Sequence, residues 1–554
     1  MSKLILALAC CSALSLEAAF EPNRILFLTN QGDLDQAITL YEEIYQEKHE
    51  HKLDLLQQMA LLILDKGSKA KDPETQLSAI FGAGISMNDS AFYILEEGMR
   101  SPYPKIQLVS LNFLSASQHD ASHPWLIRSL SSPEPLIRLE AAYQLALQKH
   151  PSATEQIEAL MYKFDPRVHA LFPQLYALAG DHASIKILKK LLTNPSIEVR
   201  VAALNAVSKS GRDDLLPSIR KLSLQHEPRQ QEAAAFALGN FKDATSIPAL
   251  KNLANSPHGT VKIAALEALA KMSDSDAKGT LGELSQQGSL FAIRSLGAFE
   301  GQEDTLAKLS ASKDTQIRIN ATLSLLERKD PRALQGAAEI LSRDIRDSAF
   351  IETASAGRSL KAWKAIPSAS LQEEEEELAH ELSLSLREEI LTLSAGLPEK
   401  EFLQLAHFLI ERKQNDLIPQ LTELLIALDT PKTVELLKYA QQKTGAPLIR
   451  NFANLGLVKL NEEGPYKEVL QGWLMSQIQI DMMKFRTFVP FAKRDALTTF
   501  ELTPQESARL LVDALEYLSL NQEQAGIELL LKILKEGHPQ NRFAAAGLLL
   551  RATQ

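Results

Sequence analysis

The chain has 554 residues, of which 45% are hydrophobic and 23% are charged. This length is too great for one compact core and this composition excludes general disorder, so we expect several domains or an open-ended repeat array. The formal net charge of -10 argues against nucleic-acid binding, which needs a basic surface, and we therefore expect no nucleic-acid partner.

The first 19 residues have the layout of a secretory signal peptide. Lys3 precedes an apolar run from Leu4 to Leu16, and the small residues Ala18 and Ala19 follow it. We therefore predict a signal peptide over residues 1–19 and an exported protein, either periplasmic or secreted. No later stretch has the roughly 20 consecutive apolar residues of a membrane span, so no transmembrane span is expected.

The two cysteines, Cys10 and Cys11, both lie inside this predicted signal. The alternative of a lipoprotein acylated at Cys10 stays open, although the apolar run ahead of Cys10 is short. The chain after residue 19 has no cysteine, and so no disulfide and no cysteine ligand for a metal.

Residues 20–71 predict an N-terminal helical cap. The stretch from Gly32 to Tyr41 is similar to the first helix of a tetratricopeptide unit. A single copy of that pattern is suited to covering the end of a repeat array, because terminal repeats need a polar outer face.

From residue 72 the sequence repeats itself. Seven segments of the same pattern follow each other at a constant step of 31 residues, as from Ile106 to Ile137. Each is preceded by a turn with Pro, Ser, Asp or Asn, the residues that start helices. The segments begin at Thr75, Ile106, Ile137, Val168, Val199, Gln230 and Val261, with looser copies at Gly288, Ile317, Ile449 and Asn541.

Each segment predicts the second helix of a helix–turn–helix unit. We number the positions of a segment from its first residue. Position 5 is small in nearly every copy, as at Ala203, Ala234 and Ala265, and large apolar residues surround it at helical spacing. A small residue there lets a neighbouring helix approach closely.

This unit resembles the HEAT repeat, in the short bacterial form whose second helix is written V-R-x-x-A-A-x-A-L. Val199-Arg200 and Ile317-Arg318 carry its opening pair in full. The resemblance implies an all-α fold, a right-handed α-α superhelix of the HEAT/armadillo-like solenoid type, over residues 72–345. It is not specific for function, because one fold hosts many functions.

The repeat register fails between residues 346 and 400. This segment includes consecutive glutamates from Glu373 to Glu377 at a helix start, and we predict an irregular, acidic connection there. Residues 401–554 predict further helical repeats. The last repeat, from Phe543 to Leu550, is apolar and looks uncapped. Its apolar side chains either pack on the preceding helix or support self-association.

No catalytic pattern emerges from the sequence. The HEAT-type di-iron hydroxylases carry His-Glu pairs at positions 3 and 4, where this chain has pairs such as Val201-Ala202 and Glu232-Ala233. We therefore expect no metal, no cofactor and no catalytic residue. The phycobiliprotein lyases use the same short repeat, but the missing cysteine gives that comparison no support.

Two groups of residues are candidate protein-binding residues. Position 2 carries a cation in several repeats, which would align as a stripe; the alternative is a ladder to the adjacent repeat. A second group mixes aromatic and cationic side chains, as interface hot spots do, or is a buried connection between helices. The candidates are Arg138, Arg200, Lys262, Arg318, Phe485, Arg486, Phe488, Phe491 and Arg494.

The sequence therefore predicts an exported, non-catalytic scaffold or adaptor that binds one or more proteins. One alternative is a lyase- or chaperone-type HEAT protein that acts on a bound client, which a lone cleft with converging polar side chains would favour. A second alternative is a secreted protein that adheres to a host surface.

Overall fold

The computed structural model describes residues 22–116, 122–343, 347–443, 447–479, 504–520 and 523–554. These residues form α-helices joined by short turns, and one β hairpin. Before the hairpin, the helices are α1 (residues 22–31), α2 (Leu34–Lys48), α3 (Leu53–Ser68), α4 (Pro73–Ile85), α5 (Phe92–Gly98), α6 (Pro104–Ala116), α7 (Ser122–Ser129), α8 (Pro135–Leu147), α9 (Ala153–Met161), α10 (Phe172–Ala179), α11 (His182–Leu191), α12 (Ile197–Ser210), α13 (Leu216–Ser223), α14 (Pro228–Asn240), α15 (Ile247–Leu253), α16 (Gly259–Lys271), α17 (Ser275–Gln286), α18 (Leu290–Leu296), α19 (Glu303–Ser310), α20 (Thr315–Glu327) and α21 (Ala333–Leu341).

The hairpin and a second series of helices follow. The strands are β1 (Ser348–Ala354) and β2 (Lys361–Pro367). After the hairpin, the helices are α22 (Glu373–Ser394), α23 (Glu399–Glu411), α24 (Ile418–Leu428), α25 (Pro431–Gln442), α26 (Pro447–Lys459), α27 (Tyr466–Gln477), α28 (Pro504–Leu520), α29 (Glu523–Glu536) and α30 (Pro539–Ala552). The prediction of an all-α, HEAT/armadillo-like solenoid is confirmed as a class, with the hairpin as an addition to it.

The helix starts have the capping chemistry that the turns predict. In α4, Pro73 is the first residue and the Asp72 carboxylate accepts a hydrogen bond from the Thr75 amide at 2.8 Å. In α20, the Asp314 carboxylate accepts from the amides of Gln316 and Ile317. These caps satisfy amides that have no partner inside the helix, so each turn fixes where its second helix begins.

The second helices of successive repeats pack side by side. In α12, α14, α16, α18 and α20, each helix contacts the next. The small residues at position 5 are fully buried, as Ala203, Ala234 and Ala265 show. A Cβ atom added to Gly239 of α14 would lie 2.6 Å from the Cα atom of Ala268 in α16. The backbones therefore approach closely, as the small residues predict.

The described chain divides into two compact units. Unit 1 comprises residues 22–116, 122–141, 457–479, 504–520 and 523–554, and unit 2 comprises residues 142–343, 347–443 and 447–456. The boundaries predicted at residues 72, 346 and 401 mark changes in the repeat pattern of the sequence. The division into two compact units does not test them, and they stay predictions.

Unit 1 combines helices from both parts of the chain. Helix α30 packs against α3 and α4 as well as against α28 and α29. A Cβ atom on Gly547 would overlap the carbonyl oxygen of Gly82, so α30 and α4 touch along their backbones. Ala545 and Leu549 are completely buried. The apolar face of the last repeat is thus covered within the chain, which removes the feature that suggested self-association.

Unit 2 contains the hairpin, in the segment that the sequence predicts to be irregular. Strands β1 and β2 pair antiparallel, with Phe350 opposite Ala365 and Glu352 opposite Trp363. The glutamate run then opens α22, whose first residue is Glu373 and whose start is closed by a capping box from Gln372. The prediction of an irregular connection is therefore wrong for residues 348–367, which form the hairpin, whereas the helix start at the glutamates is confirmed.

Candidate functional site

The hairpin of unit 2 lies against the second helices of the repeats. Strand β2 contacts α18 and α20, and strand β1 contacts α22. Two strands without further support are only marginally stable, so the contacts on both sides hold the hairpin in place. The candidate site is the surface that these helices and the hairpin form together.

The tip of the hairpin is bound by a buried carboxylate. Glu232 of α14 has no exposed surface. Its oxygens accept hydrogen bonds from the hydroxyl of Ser355, from the amide of Gly357 at 3.1 Å and from the amide of Ser359 at 3.4 Å. A buried carboxylate is stable only when donors of this kind replace water. Glu232 and the hairpin tip therefore stabilise each other.

Two asparagine side chains complete the anchoring. The Asn205 amide donates to the carbonyl oxygen of Gly357 at 2.9 Å, and its oxygen accepts from the Ser359 hydroxyl at 3.0 Å. The fully buried Asn320 donates to the carbonyl oxygen of Trp363 at 2.7 Å and accepts from the Trp363 amide at 2.9 Å. Asn320 thus bonds both main-chain groups of one residue of β2, as a neighbouring strand would.

A cavity of about 620 Å³ lies between the hairpin and the helices of unit 2. We call it the hairpin pocket. Its walls come from α14, α16, α18, α20, β1, β2 and α22, and they combine aromatic rings with charged side chains. The lining residues are Phe236, Glu267, Phe291, Arg294, Ser295, Gly297, Ala298, Glu327, Glu352, Ser359, Leu360, Lys361, Ala362, Trp363 and Glu389.

Most charges of the hairpin pocket are paired with one another. Arg294 donates to both carboxylate oxygens of Glu327, at 2.7 and 3.2 Å. Lys361 and Glu352 form an ion pair of 2.9 Å across the hairpin. The positive charges of Arg294 and Lys361 are thereby balanced, and their guanidinium and ammonium groups are held at the walls of the pocket.

Glu267 is neutralised in the same way, beside an aromatic ring. It pairs with the ammonium group of Lys271 at 2.7 Å and accepts from the Ser295 hydroxyl at 2.6 Å. The same ammonium group lies 4.8 Å from the ring centre of Phe236. One wall of the pocket therefore already holds an ammonium group between a carboxylate and a phenyl ring, which is a favourable arrangement for a cation.

Glu389 of α22 is the remaining carboxylate of the hairpin pocket. Burial raises its pKa, and the negative charges of Glu327 and Glu352 add to that effect. The positive charge of Arg294 and a hydrogen bond from the Trp363 side chain act in the opposite direction. Within the part of the chain that the structure describes, the cation that acts on Glu389 is Arg294, whose guanidinium is bonded to Glu327.

The cations predicted at position 2 of the repeats bind their own turns. Arg138, Arg200 and Arg318 each donate to the carbonyl oxygen six residues earlier, at 2.8, 2.6 and 3.1 Å. These oxygens lie in the turn that follows the first helix of the repeat, where unpaired carbonyls attract cations. Lys262 is half-buried at the same position.

Two of these arginines also reach a neighbouring helix. Arg200 donates to the side-chain oxygen of Gln230 at 2.6 Å, and Arg318 pairs with Glu339 at 3.1 Å. These contacts support the alternative of a structural ladder for position 2. A role in partner binding remains a prediction for these residues. The second predicted group, Phe485, Arg486, Phe488, Phe491 and Arg494, lies outside the described residues.

The residues of the hairpin pocket were missed by sequence reasoning, although two signals point to them. Glu232 is the charged exception at position 3, where the other six copies in register carry Leu, Ala, Val or Ile. Position 7 holds Asn205, Phe236, Glu267 and Arg294 in four successive repeats, and all four contact the hairpin or line the pocket.

Searches for two other kinds of site gave the following results. Among the described residues, no group of three or more His, Cys, Asp and Glu side chains is placed to hold a metal ion. None of the helices in the described ranges has the length and apolar character needed to span a bilayer.

The family model for HEAT repeats matches residues 223–290, which include α14 and α16. No curated protein matches the chain. Among solved structures, the CpcE–CpcF complex of phycocyanin lyase from Nostoc sp. PCC7120 is 19% identical and covers 39% of this chain and 91% of that chain, with a TM-score of 0.31. UNC-45 from Drosophila melanogaster is 12% identical and covers 96% and 88%, with a TM-score of 0.36. Yeast importin-beta is 11% identical and covers 96% and 73%, with a TM-score of 0.32.

Proposed function

We propose that this chain, a HEAT/armadillo-like repeat protein, is an exported, non-catalytic scaffold or adaptor that binds one or more proteins through unit 2. The observation that carries the proposal is the hairpin pocket. Four successive second helices of the repeats, helix α22 and the hairpin build one open, charged and aromatic surface around it. Repeat proteins use such continuous surfaces to bind other proteins.

The pairing of charges supports recognition rather than catalysis. General acid–base or nucleophilic catalysis needs a reactive side chain beside a partner that takes or gives a proton. In the hairpin pocket, Arg294 is bonded to Glu327 and Lys361 to Glu352, so these side chains are held in ion pairs. Side chains fixed in this way provide shape and charge for a binding partner.

A second candidate function is a lyase- or chaperone-type protein that acts on a bound client. The specific observation in its favour is that polar side chains converge on one cavity and that burial raises the pKa of Glu389 there. This candidate predicts a chemical change in the client, whereas the scaffold predicts binding alone.

The export part of the proposal is supported by the signal-like pattern of residues 1–19. Fractionation of cells that make the chain with a C-terminal tag tests it. We expect the tagged protein in the periplasm or the medium, with an N-terminus after residue 1. A tagged protein that stays in the cytoplasm and begins at Met1 would contradict export.

Site-specific photocrosslinking in cells tests the binding function. A photoreactive residue replaces Lys361, whose side chain is 61% exposed at the pocket. The matched control carries it in place of Lys221, an exposed residue of α13 in the same unit that does not line the pocket. We expect a defined protein adduct from position 361 and none from position 221.

Equal adducts at both positions, or none at position 361, would contradict binding at this surface. Mass spectrometry of the adduct identifies the partner. A covalently altered partner in the presence of this chain, unaltered in its absence, would favour the second candidate over a scaffold.

A further inference from the structure

We propose that the hairpin pocket binds the lysine or arginine side chain of a partner protein, with Glu389 as the counter-ion. This inference rests on the proposed protein-binding function and deepens it, because it names the chemistry of the partner segment. It is argued from the charges, the aromatic walls and the size of the cavity.

The first argument is that three of the four carboxylates in the pocket have a cation bonded to them and the fourth does not. Its carboxylates are Glu267, Glu327, Glu352 and Glu389. The first three have cationic partners at 2.7, 2.7 and 2.9 Å, namely Lys271, Arg294 and Lys361. Within the described ranges, Glu389 has no ion pair of its own and only shares the positive charge of Arg294 with Glu327. One further positive charge at Glu389 would therefore pair the last carboxylate of the pocket.

The second argument is that Glu389 is held ready for such a charge. Its side chain is half-buried and lines the cavity together with Trp363, which is itself 6% exposed. A partly dehydrated carboxylate attracts a cation more strongly than one in bulk water, because the local dielectric constant is lower.

The third argument is that the aromatic walls suit the stem and the head of a long cationic side chain. The Lys271 ammonium group, between Glu267 and the ring of Phe236, is an example of this arrangement inside the chain. Phe236 and Phe291 are half-buried and line the cavity. The methylene groups of lysine or arginine pack on apolar surface while the charged end reaches a carboxylate.

The size of the cavity indicates a peptide rather than a bare ion. About 620 Å³ lies within the range of roughly 300–1,000 Å³ that organic ligands occupy. A metal ion would need several ligands around one point, and one unpaired carboxylate does not supply them. An extended segment with one basic side chain directed at Glu389 uses both the volume and the charge.

The test measures binding of fluorescent peptide mixtures to the purified full chain. Each mixture is an octapeptide with random neutral flanks and one fixed central residue: Lys, Arg, acetyl-Lys or Glu. We expect binding of the Lys and Arg mixtures, and at least about tenfold weaker binding of the acetyl-Lys and Glu mixtures. Glu389→Gln should weaken binding of the Lys and Arg mixtures by about tenfold, since it keeps the shape and removes the charge.

The matched control is Glu283→Gln, which removes the same charge from an exposed residue of α17 outside the pocket. Its binding should equal that of the unaltered chain. Circular dichroism and a thermal melt confirm that both variants are folded. A second variant, Glu389→Lys, places a cation inside the pocket and should abolish binding of the basic mixtures.

Several outcomes would overturn the inference. They are no preference for the basic mixtures over acetyl-Lys, unchanged binding by Glu389→Gln, or equal binding of free spermidine, which would identify a small amine as the ligand. A protein adduct at position 361 combined with no binding of basic peptides would refute the cationic partner and leave the scaffold function standing. Absence of both would refute the two together.

Discussion

Glu389 has a consequence for stability at the scale of a single residue. Burial raises its pKa in the folded chain, Glu327 and Glu352 raise it further, and Arg294 only partly opposes them. Between the unfolded pKa, about 4.3 for glutamate, and the higher folded pKa, the folded state binds more protons than the unfolded state. The free energy of unfolding therefore falls as the pH rises through this interval, and the ionised carboxylate destabilises the free protein at neutral pH.

We predict that Glu389→Gln raises the melting temperature of the free protein by about 1–3 °C at pH 7, because the neutral amide avoids the cost of a buried charge. Below about pH 3, where the carboxyl group is protonated in both states, the two proteins should melt together. Thermal melts at a series of pH values check this. A variant that is less stable than the unaltered chain at pH 7 would show that Glu389 has a stabilising partner.

The arginines at position 2 have a structural effect that is testable at the residue scale. We predict that Arg200→Ala lowers the free energy of unfolding by about 1–2 kcal/mol, since it removes hydrogen bonds from a charged donor to the carbonyl oxygens of Asn194 and Pro195. Arg212→Ala serves as the control, because its ion pair with Asp214 is exposed and contributes little. Urea denaturation measures both. Equal effects of the two changes would argue against the turn-binding role.

At the scale of elements, the hairpin is a short sheet that depends on side chains from distant helices. Its tip contains Gly357, where a Cβ atom would lie 2.6 Å from the carbonyl oxygen of Arg229 and 2.7 Å from the carboxyl carbon of Glu232. There is therefore no room for a side chain between the hairpin tip and α14. The hairpin tip fits against α14 only because Gly357 has no Cβ atom.

We predict that Gly357→Ala displaces the hairpin tip and speeds amide hydrogen exchange in residues 348–367 by at least about tenfold, since local opening becomes less costly. Gly259→Ala is the control, because nothing lies within 4 Å of a Cβ atom there. Exchange measured by mass spectrometry compares the two variants. Unchanged protection of the hairpin in Gly357→Ala would show that the tip contacts do not hold it.

The helices could be predicted from the sequence, and the hairpin could not. Local signals determine the helices: an apolar stripe with a small residue such as Ala203, and a cap such as Asp314 with the turn before it. The hairpin is held by contacts across long sequence distances, since Glu232 and Gly357 lie 125 residues apart. Nothing near β1 or β2 indicates these partners. The one signal in the sequence is the charged Glu232 at position 3, which marks α14 as the helix that binds the hairpin tip.

The candidate site was missed for the same reason. The predicted stripe at position 2 relied on the alignment of like charges, but side chains at that position reach back to their own turns. The pocket uses position 7, where the residue type changes from repeat to repeat, from Asn205 to Phe236 to Glu267. A search for repeated patterns finds the residue types that the repeats have in common, whereas the hairpin pocket is lined by residues that differ from one repeat to the next.

At the scale of the whole molecule, the two units differ in how far apart their contacting residues lie in the sequence. Unit 2 is built largely of helices that pack on their sequence neighbours, as α14 does on α12 and α16. Unit 1 depends on contacts of very long range. Gln540 donates to Thr75 at 3.3 Å, 465 residues away, and Lys535 pairs with Glu42 at 2.8 Å.

We predict that Gly547→Ala destabilises unit 1 by about 1–3 kcal/mol, because the new methyl group would overlap the backbone of Gly82 and force α30 away from α4. Gly472→Ala, in α27 of the same unit, has open space around it and serves as the control. The measurement is hydrogen exchange of residues 73–85, remote in sequence from the change. Normal protection of α4 in Gly547→Ala would contradict the packing of the two helices.

Because unit 1 joins helices that are distant in the sequence, it also determines the order in which the helices can fold as the protein is synthesised. A ribosome releases α3 and α4 long before α30 is made. The faces of α3 and α4 that contact α30 therefore stay uncovered while α9 to α26 emerge and pack on their near neighbours. The first-made helices are thus among the last to reach their final surroundings. For the exported protein proposed above, this delay extends over the crossing of the membrane. The unit that holds the leading helices completes itself only after the trailing helices have followed them to the other side.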